Sequence, residues 1–496
     1  MVAMRDFAEL QQRLETACAV DKPGSRVPHV LIALPSFSLG ESLLSHYVDR
    51  IPALEHRYLV AALVLPRIPG AELVFTSSQP PDDAVVDHYL SLVPPAERAS
   101  VRRRLRVLVV PDRSGRSIAA KLLDRPDLLA GLRGWIGDRP AFIEPWNVTA
   151  DEVQVARWLD APINGTAPEL WPLGFKSAGR RLLRGSGVPV PFGCEDVRSV
   201  EDVDRAAGEV LRRRPGAAGV VVKLDDSGAG DGNVVLRCDG LPGAAGRLRD
   251  AARRLPGWFL AALRSGGVVE EFVTGDRFAS PSVQGDISPD GSVTVLATHE
   301  QVLGGDSGQV YLGCTFPADS GYAAELGRYG SAAGEALARC GARGRYGVDF
   351  VASATGDRWH VQALEINLRK GGTTHPYAVL RNLVPGRYDV EGGRWVAEDG
   401  EIRAYSSTDN LVDPDWTGLD PRRVVDAVTA AGLRFDRGTR TGVVLHMLSG
   451  LAIDGRCGLT AIATSTAAAL EMVERTRACI DEAARRPAGA GRAAEG

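Results

Sequence analysis

Short apolar runs separated by helix-length segments dominate the first 160 residues. The runs are HVLIALPSF near residue 30, 58-YLVAALVL-65, 71-AELVFT-76 and 105-LRVLVVP-111. Parallel strands joined by helices produce this spacing. We therefore predict an N-terminal parallel α/β domain over residues 1–165. It contains no motif with chemistry of its own, so a structural or substrate-side role is expected.

From about residue 166 the pattern changes to α+β with antiparallel strands. A strand GVVVKL is followed by the loop DDSGAGDGN, and later strands include GVVEEFV and SVTVLATHEQVL. A hairpin over residues 347–368 turns at Thr355-Gly356. We predict that residues 166–395 form a second domain.

The tail is predicted to be a small α+β domain over residues 396–485. It begins with a helix at 421, continues with the strand 441-TGVVLHML and a strand-turn pair at 451-LAIDGRCGLTAIA, and closes with a helix from 465. The last residues, 486–496, are rich in Ala, Gly and Arg, and we expect them to be disordered.

Composition excludes several classes of function. The net charge of −4 and the pI near 6.1 give no electrostatic footprint for nucleic acid or for an anionic membrane. No apolar run approaches the length of a membrane span. The seven cysteines are scattered without metal or disulfide spacing, so a reduced, cytoplasmic protein is expected.

The hairpin carries the sharpest chemical signal. Alternation places Glu365, Asn367 and Arg369 on one face of its second strand, and the turn brings Asp349 roughly opposite Glu365. Facing carboxylates repel unless a cation lies between them, and Asp, Glu and Asn oxygens suit Mg²⁺. An exposed hairpin face with Arg369 as counter-ion explains the spacing equally well.

Two further stretches are ambiguous by themselves. Three glycines at alternate positions in DDSGAGDGN suit a lid whose N–H groups cover phosphates, but a glycine-rich hairpin turn is the commoner cause. The acids in 268-VVEEFVTGDRF-278 suit either a hinge that reads an adenine edge or an edge-strand device.

Lysine is rare in this chain. Only five of the 58 basic residues are lysines, namely Lys22, Lys121, Lys176, Lys223 and Lys370. A compact ammonium fits between phosphate oxygens better than a planar guanidinium does. Lysines within the candidate motifs are therefore candidates for phosphate contacts.

The order of these features resembles that of the ATP-grasp enzymes, a superfamily of carboxylate–amine ligases and their relatives. The order is a lysine, a strand lysine, a glycine-rich loop, an acidic hinge, Asp349 and a Glu-x-Asn-x-Arg strand, and it covers about residues 170–376. The layout with the tail GVVLHMLSGLAIDGRCGLTAIA is most similar to the pheganomycin-type peptide ligases. An ATP-grasp fold between a parallel α/β domain and a small α+β domain is implied.

The resemblance also assigns site residues. The phosphate contacts it implies are Lys176, Lys223 and a lid containing Gly228, Gly230, Gly232 and Asn233. The adenine hinge it implies is Glu270, Glu271 and Val273, with Asp276 one position early for a ribose contact. The metal ligands it implies are Asp349, Glu365 and Asn367, and Arg369 is the implied catalytic arginine for the acyl phosphate.

The activity implied is ATP- and Mg²⁺-dependent amide formation between a carboxylic acid and the amine of an amino acid or peptide, in peptide natural-product biosynthesis. No nucleic acid or membrane partner is expected, and a homodimer is left open. A kinase or carboxylase of the same fold, or a nucleotide-binding regulator without catalysis, remains as an alternative. The intact set of candidate residues argues against the regulator.

Overall fold

The computed structural model describes residues 5–37, 48–227, 232–237, 250, 252–304 and 310–485. Within these residues the strands form three sheets. One sheet is parallel and N-terminal, and the other two are antiparallel and face the cleft described below. The predicted disordered tail, residues 486–496, lies outside the described residues.

The N-terminal sheet contains four parallel strands in the order β3-β2-β1-β4. They are His29–Leu34 (β1), Ala71–Ser77 (β2), Leu105–Val109 (β3) and Ala141–Pro145 (β4). The helices are Phe7–Gln11 (α1), Leu14–Ala19 (α2), Ile51–His56 (α3), Asp83–Ser91 (α4), Arg98–Arg104 (α5), Ile118–Leu123 (α6), Pro126–Ile136 (α7) and Ala150–Leu159 (α8). Chain order reverses between β1 and β4, so these strands end side by side at a topological switch point.

The predicted strand over residues 58–65 is wrong. Residues Arg57–Arg67 form a 3-10 helix that continues α3. A continuous apolar run of eight residues cannot distinguish a buried strand from a buried helix. Here tertiary packing decides, because Leu59 and Leu63 are buried in a core shared with the C-terminal part of the chain.

The second sheet is small, antiparallel and ordered β5-β8-β6-β7. Its strands are Gly193–Cys194 (β5), Gly219–Leu224 (β6), Asn233–Arg237 (β7) and Gly267–Glu271 (β8). Helices Lys176–Gly185 (α9), Val200–Arg213 (α10) and Gly257–Leu263 (α11) accompany it. Val203, Val220 and Phe259 belong to its separate core.

The third sheet has eleven strands among the described residues. They are Arg277–Ala279 (β9), Pro281–Ile287 (β10), Val293–Gly304 (β11), Val310–Phe316 (β12), Gly344–Thr355 (β13), Arg358–Asn367 (β14), Gly386–Asp389 (β15), Arg394–Ala397 (β16), Ile402–Val412 (β17), Gly442–His446 (β18) and Arg456–Ala463 (β19). The main path runs β14-β13-β10-β11-β12-β17-β16-β15, β19 joins β17 to β18, and β9 pairs with β13.

Among the described residues, five helices accompany this sheet: Ala323–Arg339 (α12), Thr374–Leu383 (α13), Pro421–Ala430 (α14), Leu451–Asp454 (α15) and Thr466–Arg485 (α16). The strand predicted to start at residue 451 is wrong over residues 451–454, which form a helix. The turn that precedes β19 comes only at Gly455, which has a positive φ of 67°. Shorter 3-10 turns lie at Val48–Arg50, Pro95–Glu97, Pro168–Gly174, Pro414–Trp416 and Leu448–Gly450.

One hydrophobic core joins the two ends of the chain. It contains residues of the N-terminal sheet, of α13 and of strands β17 to β19. Because β17 also pairs with β12, the tail shares the large sheet with the hairpin that carries the candidate metal ligands. The N-terminal sheet is thereby packed against the C-terminal part of the large sheet.

Candidate active site

A cleft of about 880 Å³ opens between the small sheet and the large sheet. The residues predicted for the site that line this cleft are Lys176, Lys223, Asn233, Glu270, Glu271, Val273, Asp349, Glu365, Asn367 and Arg369. They come from α9, β6, β7, β8, the hinge after β8, and the hairpin β13–β14. The fold therefore gathers residues that lie far apart in the chain into one cavity.

The predicted cross-strand pair is confirmed by the register of the hairpin. Asp349 lies directly opposite Glu365, and Gly347 lies opposite Asn367. The Asn367 amide Nδ2 donates to Asp349 Oδ2 at 2.8 Å and approaches Glu365 Oε1 at 3.4 Å. Three oxygen-bearing side chains thus converge on one point of the cleft.

The electrostatics of this cluster fit a divalent cation. Burial and the neighbouring Glu365 carboxylate raise the pKa of Asp349 to about 7. Burial acts in the same direction on Glu365 and is the largest single cause, but Lys176, Lys223 and Arg369 together outweigh it and lower the pKa of Glu365. Two carboxylates beside an amide oxygen form the kind of oxygen ligand set that Mg²⁺ prefers.

No group of three His, Cys, Asp or Glu side chains in the described part of the chain is arranged to hold a metal. The candidate site therefore depends on two carboxylates and one amide. In the structure the amide nitrogen faces the carboxylates, and a half-turn about the terminal bond of Asn367 would present its oxygen. Gln301 donates from Nε2 to Asp349 Oδ1 at 2.6 Å and orients that carboxylate.

Both lysines of the prediction are buried and paired with carboxylates of the cleft. Lys176 Nζ lies 2.5 Å from Glu365 Oε2 and donates to the Ser227 carbonyl at 3.0 Å. Lys223 pairs with Glu270. Each ammonium lies on the cavity wall, where an anionic ligand can contact it.

The hinge acids are committed to protein partners. Glu270 Oε2 accepts from Arg180 Nη1 at 2.6 Å, and Glu271 accepts from the Phe192 backbone N–H at 2.8 Å and from Arg214 at 3.1 Å. These carboxylates hold α9 and α10 to β8. An adenine edge in this part of the cleft would consequently meet main-chain groups of residues 271–273.

The lid is described only in part, since Gly228 and Gly230 lie outside the described residues. Gly232 approaches Ser227 so closely that a Cβ would lie 2.3 Å from its side chain. Asn233 pairs with Lys223 across β6 and β7 and lines the cleft. The two described residues that flank 228–231, Ser227 and Gly232, thus lie close together, and the Asn233 that follows pairs with the strand lysine.

Asp276 is absent from the described residues that line the cleft. Its carboxylate accepts from the Gly356 N–H at 3.2 Å, which ties the end of the hinge to the hairpin turn. The structure does not bring Asp276 together with the other predicted residues.

Sequence reasoning missed the contribution of the N-terminal sheet. The Arg369 guanidinium lies 4.6 Å from the ring centroid of Trp146, just after β4. The Lys370 N–H donates to the Trp146 carbonyl at 3.0 Å, and Lys370 Nζ pairs with Glu144 Oε2 at 2.7 Å. Burial lowers the pKa of Arg369. Only the acid two positions before Trp146 in FIEPWNVT could have hinted at this contact.

Comparison with known proteins decides the family. The chain is 35% identical over 417 residues to the L-propargylglycine–L-glutamate ligase of Streptantibioticus cattleyicolor, covering 81% of this chain and 84% of that protein. The chain belongs to the ATP-grasp carboxylate–amine ligases. Residues 423–476 also match the PGM1 C-terminal domain.

Solved structures agree with the ATP-grasp fold. An ADP complex of N5-carboxyaminoimidazole ribonucleotide synthetase has a TM-score of 0.52 at 14% identity, covering 93% of this chain and 98% of that one. The biotin carboxylase domain of the Hydrogenobacter thermophilus 2-oxoglutarate carboxylase, in complex with MgADP, ADP and bicarbonate, has a TM-score of 0.54 at 14% identity, covering 90% and 89%. At this identity the likeness shows the fold alone.

The predicted fold class and enzyme class are therefore confirmed. This ATP-grasp protein is an ADP-forming ligase that makes an amide bond, and its cofactors are ATP and Mg²⁺. Its reactants are accordingly an acid and an amine. None of the described helices has the length and apolarity needed to cross a membrane.

Proposed function

We propose that this ligase activates the carboxyl group of one amino acid or peptide and joins it to the amine of a second, in the biosynthesis of a peptide natural product. The relative from Streptantibioticus cattleyicolor carries two amino acids in its name, which supports this substrate class. The observation that carries the proposal is the meeting of Asp349, Glu365 and Asn367 with Arg369 in one cleft.

The reaction proceeds in two balanced steps. A carboxylate oxygen of the acid attacks the γ-phosphorus of ATP, the bond to the β-phosphate oxygen breaks, and ADP leaves. The amine nitrogen then attacks the acyl carbon, the bond to the phosphate oxygen breaks, and one proton is released as the amide forms. Stabilising the charge that moves between oxygens is the main demand on the protein.

The residues divide this work by position. Asp349, Glu365 and Asn367 would hold Mg²⁺, which supplies positive charge beside the transferred phosphoryl group. Lys176 and Lys223 neutralise phosphate oxygens on exchanging their present carboxylate partners for the nucleotide. Arg369 stabilises the oxyanion at the acyl carbon in both steps.

We assign residues 166–395 as the catalytic unit, with residues 1–165 and 396–485 flanking its substrate end. The contacts of Glu144 and Trp146 with Lys370 support a substrate-side place for the N-terminal unit. The reducing cytoplasm is the compartment we propose, because the described cysteines are free thiols. A homodimer remains an option for its assembly.

The test measures ADP release from MgATP with pairs of amino acids, together with the mass of the product. ADP and dipeptide should form in equal amounts and only when both amino acids are present. In Glu365→Gln the turnover should fall by at least about 100-fold. The matched variant Glu335→Gln, on the exposed side of α12, should keep wild-type turnover.

Other outcomes separate the alternatives. ADP release that ignores the amine, with a phosphorylated acid as product, would replace the ligase with a kinase. Wild-type turnover in Glu365→Gln would remove Glu365 from the metal site while leaving the activity intact. Nucleotide binding without any ADP release would indicate a regulator.

A further inference from the structure

Two buried polar side chains on the cleft wall have no hydrogen-bond partner among the described residues. Ser282 Oγ is unpaired, and both Oε1 and Nε2 of Gln284 are unpaired. Ser282 is 4% exposed and Gln284 is 3% exposed, yet both line the cleft. Buried amides without partners are unfavourable, so such groups usually meet a ligand or an ordered water.

The two side chains share the face of the large sheet that carries the metal cluster. Ser282 pairs with Asp349 across β10 and β13, and Gln284 pairs with Gly347. Gly347 in turn lies opposite Asn367. With neighbouring strands roughly 4.8 Å apart, the Gln284 and Asn367 backbones lie about 10 Å apart across the sheet. Gly347 contributes no side chain to that gap.

The position along the strands shows which end of the cleft this gap occupies. The hinge enters at β9, where Arg277 pairs with Ala354 of β13. Gly347 lies seven residues before Ala354 in β13, which corresponds to about 24 Å in an extended strand. The metal cluster lies at the Gly347 end, because Asn367 pairs with Gly347 itself and Glu365 pairs with Asp349. The gap therefore lies at the end of the cleft away from the hinge, next to the metal cluster, where Arg369 and the turn 371–374 also line the cleft.

We infer that Ser282 and Gln284, with the space left by Gly347, form the subsite for the α-amino acid head group of the acid substrate. This inference rests on the proposed function and names the residues that recognise its acid. The carboxamide can donate from Nε2 to a carboxylate oxygen and accept on Oε1 from the neighbouring ammonium. Ser282 Oγ supplies a second acceptor for the ammonium.

The chemistry of the wall favours an amino acid over a simple carboxylic acid. A carboxylate alone would need donors, and Arg369 already supplies them at this end of the cleft. The Gln284 carboxamide carries a donor, Nε2, and an acceptor, Oε1, on one planar group. An amino acid carries the complementary pair, because its carboxylate accepts and its neighbouring ammonium donates. An acid without the α-amino group would leave Gln284 Oε1 unpaired, which lowers its affinity.

The test compares each acid with its analogue that lacks the α-amino group. The probes are the twenty proteinogenic amino acids and L-propargylglycine, with product mass showing which partner gave its carboxyl group. In Gln284→Leu, kcat/KM for the amino acid should fall about ten- to hundredfold, and kcat/KM for the desamino analogue, which keeps only the carboxylate contact, should fall less. Equal selectivity in the variant and the wild type would overturn the inference and leave water as the only partner.

A second variant tests the gap itself. A Cβ at Gly347 would meet only the Val283 carbonyl at 3.6 Å and Asn367 Cβ at 3.8 Å, which are ordinary contacts. Gly347→Ala should therefore fold normally, keep its affinity for MgADP, and raise the KM for the acid several-fold. An unchanged KM would mean that the acid does not enter the gap. Gln362→Leu in β14, outside the cleft, is the matched control for Gln284→Leu.

A binding readout keeps this inference separate from the proposed function. With MgADP present, the amino acid should raise the melting temperature of the wild type and leave that of Gln284→Leu unchanged. If no amino acid pair supports ADP release but this shift appears, the proposed ligation fails and the subsite stands. If ligation occurs and the variant shows the full shift, the subsite fails and the ligation stands.

Discussion

Replacing Trp146 by alanine should slow catalysis without weakening nucleotide binding. Trp146 lies in the N-terminal unit, is 9% exposed, and stacks on Arg369 with 4.6 Å between the guanidinium carbon and the ring centroid. The Arg369 guanidinium donates to the Lys370 carbonyl at 3.3 Å, which is long for a hydrogen bond. The indole face therefore supports the orientation of Arg369 from the N-terminal unit, while the Glu365 and Asp349 carboxylates attract it from the cleft.

The size of the effect follows from the desolvated contact. A buried cation–π pair contributes about 2 kcal/mol. Since about 1.36 kcal/mol corresponds to a tenfold change in rate, full loss of that orientation lowers kcat by about 30-fold. Trp146→Phe keeps an aromatic face and should recover part of the loss.

The assay follows kcat and the KM for ATP by ADP release, with the dissociation constant for MgADP measured separately. Trp146 also packs on Phe37, so Phe37→Ala controls for lost packing and should change the melting temperature more than kcat. Trp258→Ala, at a position 61% exposed, controls for loss of an indole. An unchanged kcat in Trp146→Ala, or an equal loss of MgADP affinity, would refute the positioning role.

Two further predictions concern charge. The raised pKa of Asp349 means that its carboxyl is protonated below about pH 7, so Mg²⁺ affinity should rise between about pH 6 and 8 with release of a proton. For the same reason the ligand-free protein should lose stability as pH rises through about 7, and calorimetry that finds neither trend would contradict the assignment. Glu144→Gln breaks the pair with Lys370 and should lower the free energy of unfolding by about 2 kcal/mol. Glu72→Gln, which loses a more exposed pair, should change it by less than about 1 kcal/mol in urea unfolding, and equal effects would count against a special role for Glu144.

The hairpin shows how far local pattern reaches. Alternation fixes the face of each residue, and the turn fixes the pairing to within a residue or two, so the sequence places Asp349 roughly opposite Glu365 and the structure supplies the exact register. The same reasoning places the strand that carries Lys223. Both cases depend on contacts between strands that are neighbours in the chain or follow directly on a recognisable turn.

The remaining features depend on contacts that no local pattern contains. The partners of Glu270 include Arg180, ninety residues earlier, and the support for Arg369 comes from Trp146 in another sheet. Gln284 looks like an ordinary polar residue of a strand, and only its burial without a partner sets it apart from other such residues in the described part of the chain. The helix over residues 57–67 could not be predicted from the sequence, because a continuous apolar run shows neither helical nor strand periodicity.

The path of a carboxyl oxygen tests the central claim most directly. The acid substrate is prepared with ¹⁸O in both carboxyl positions, and the inorganic phosphate is analysed by mass spectrometry after one turnover with MgATP and the amine. An acyl phosphate intermediate predicts one ¹⁸O atom in each phosphate released and one in each amide. Unlabelled phosphate, or label in AMP, would contradict the account.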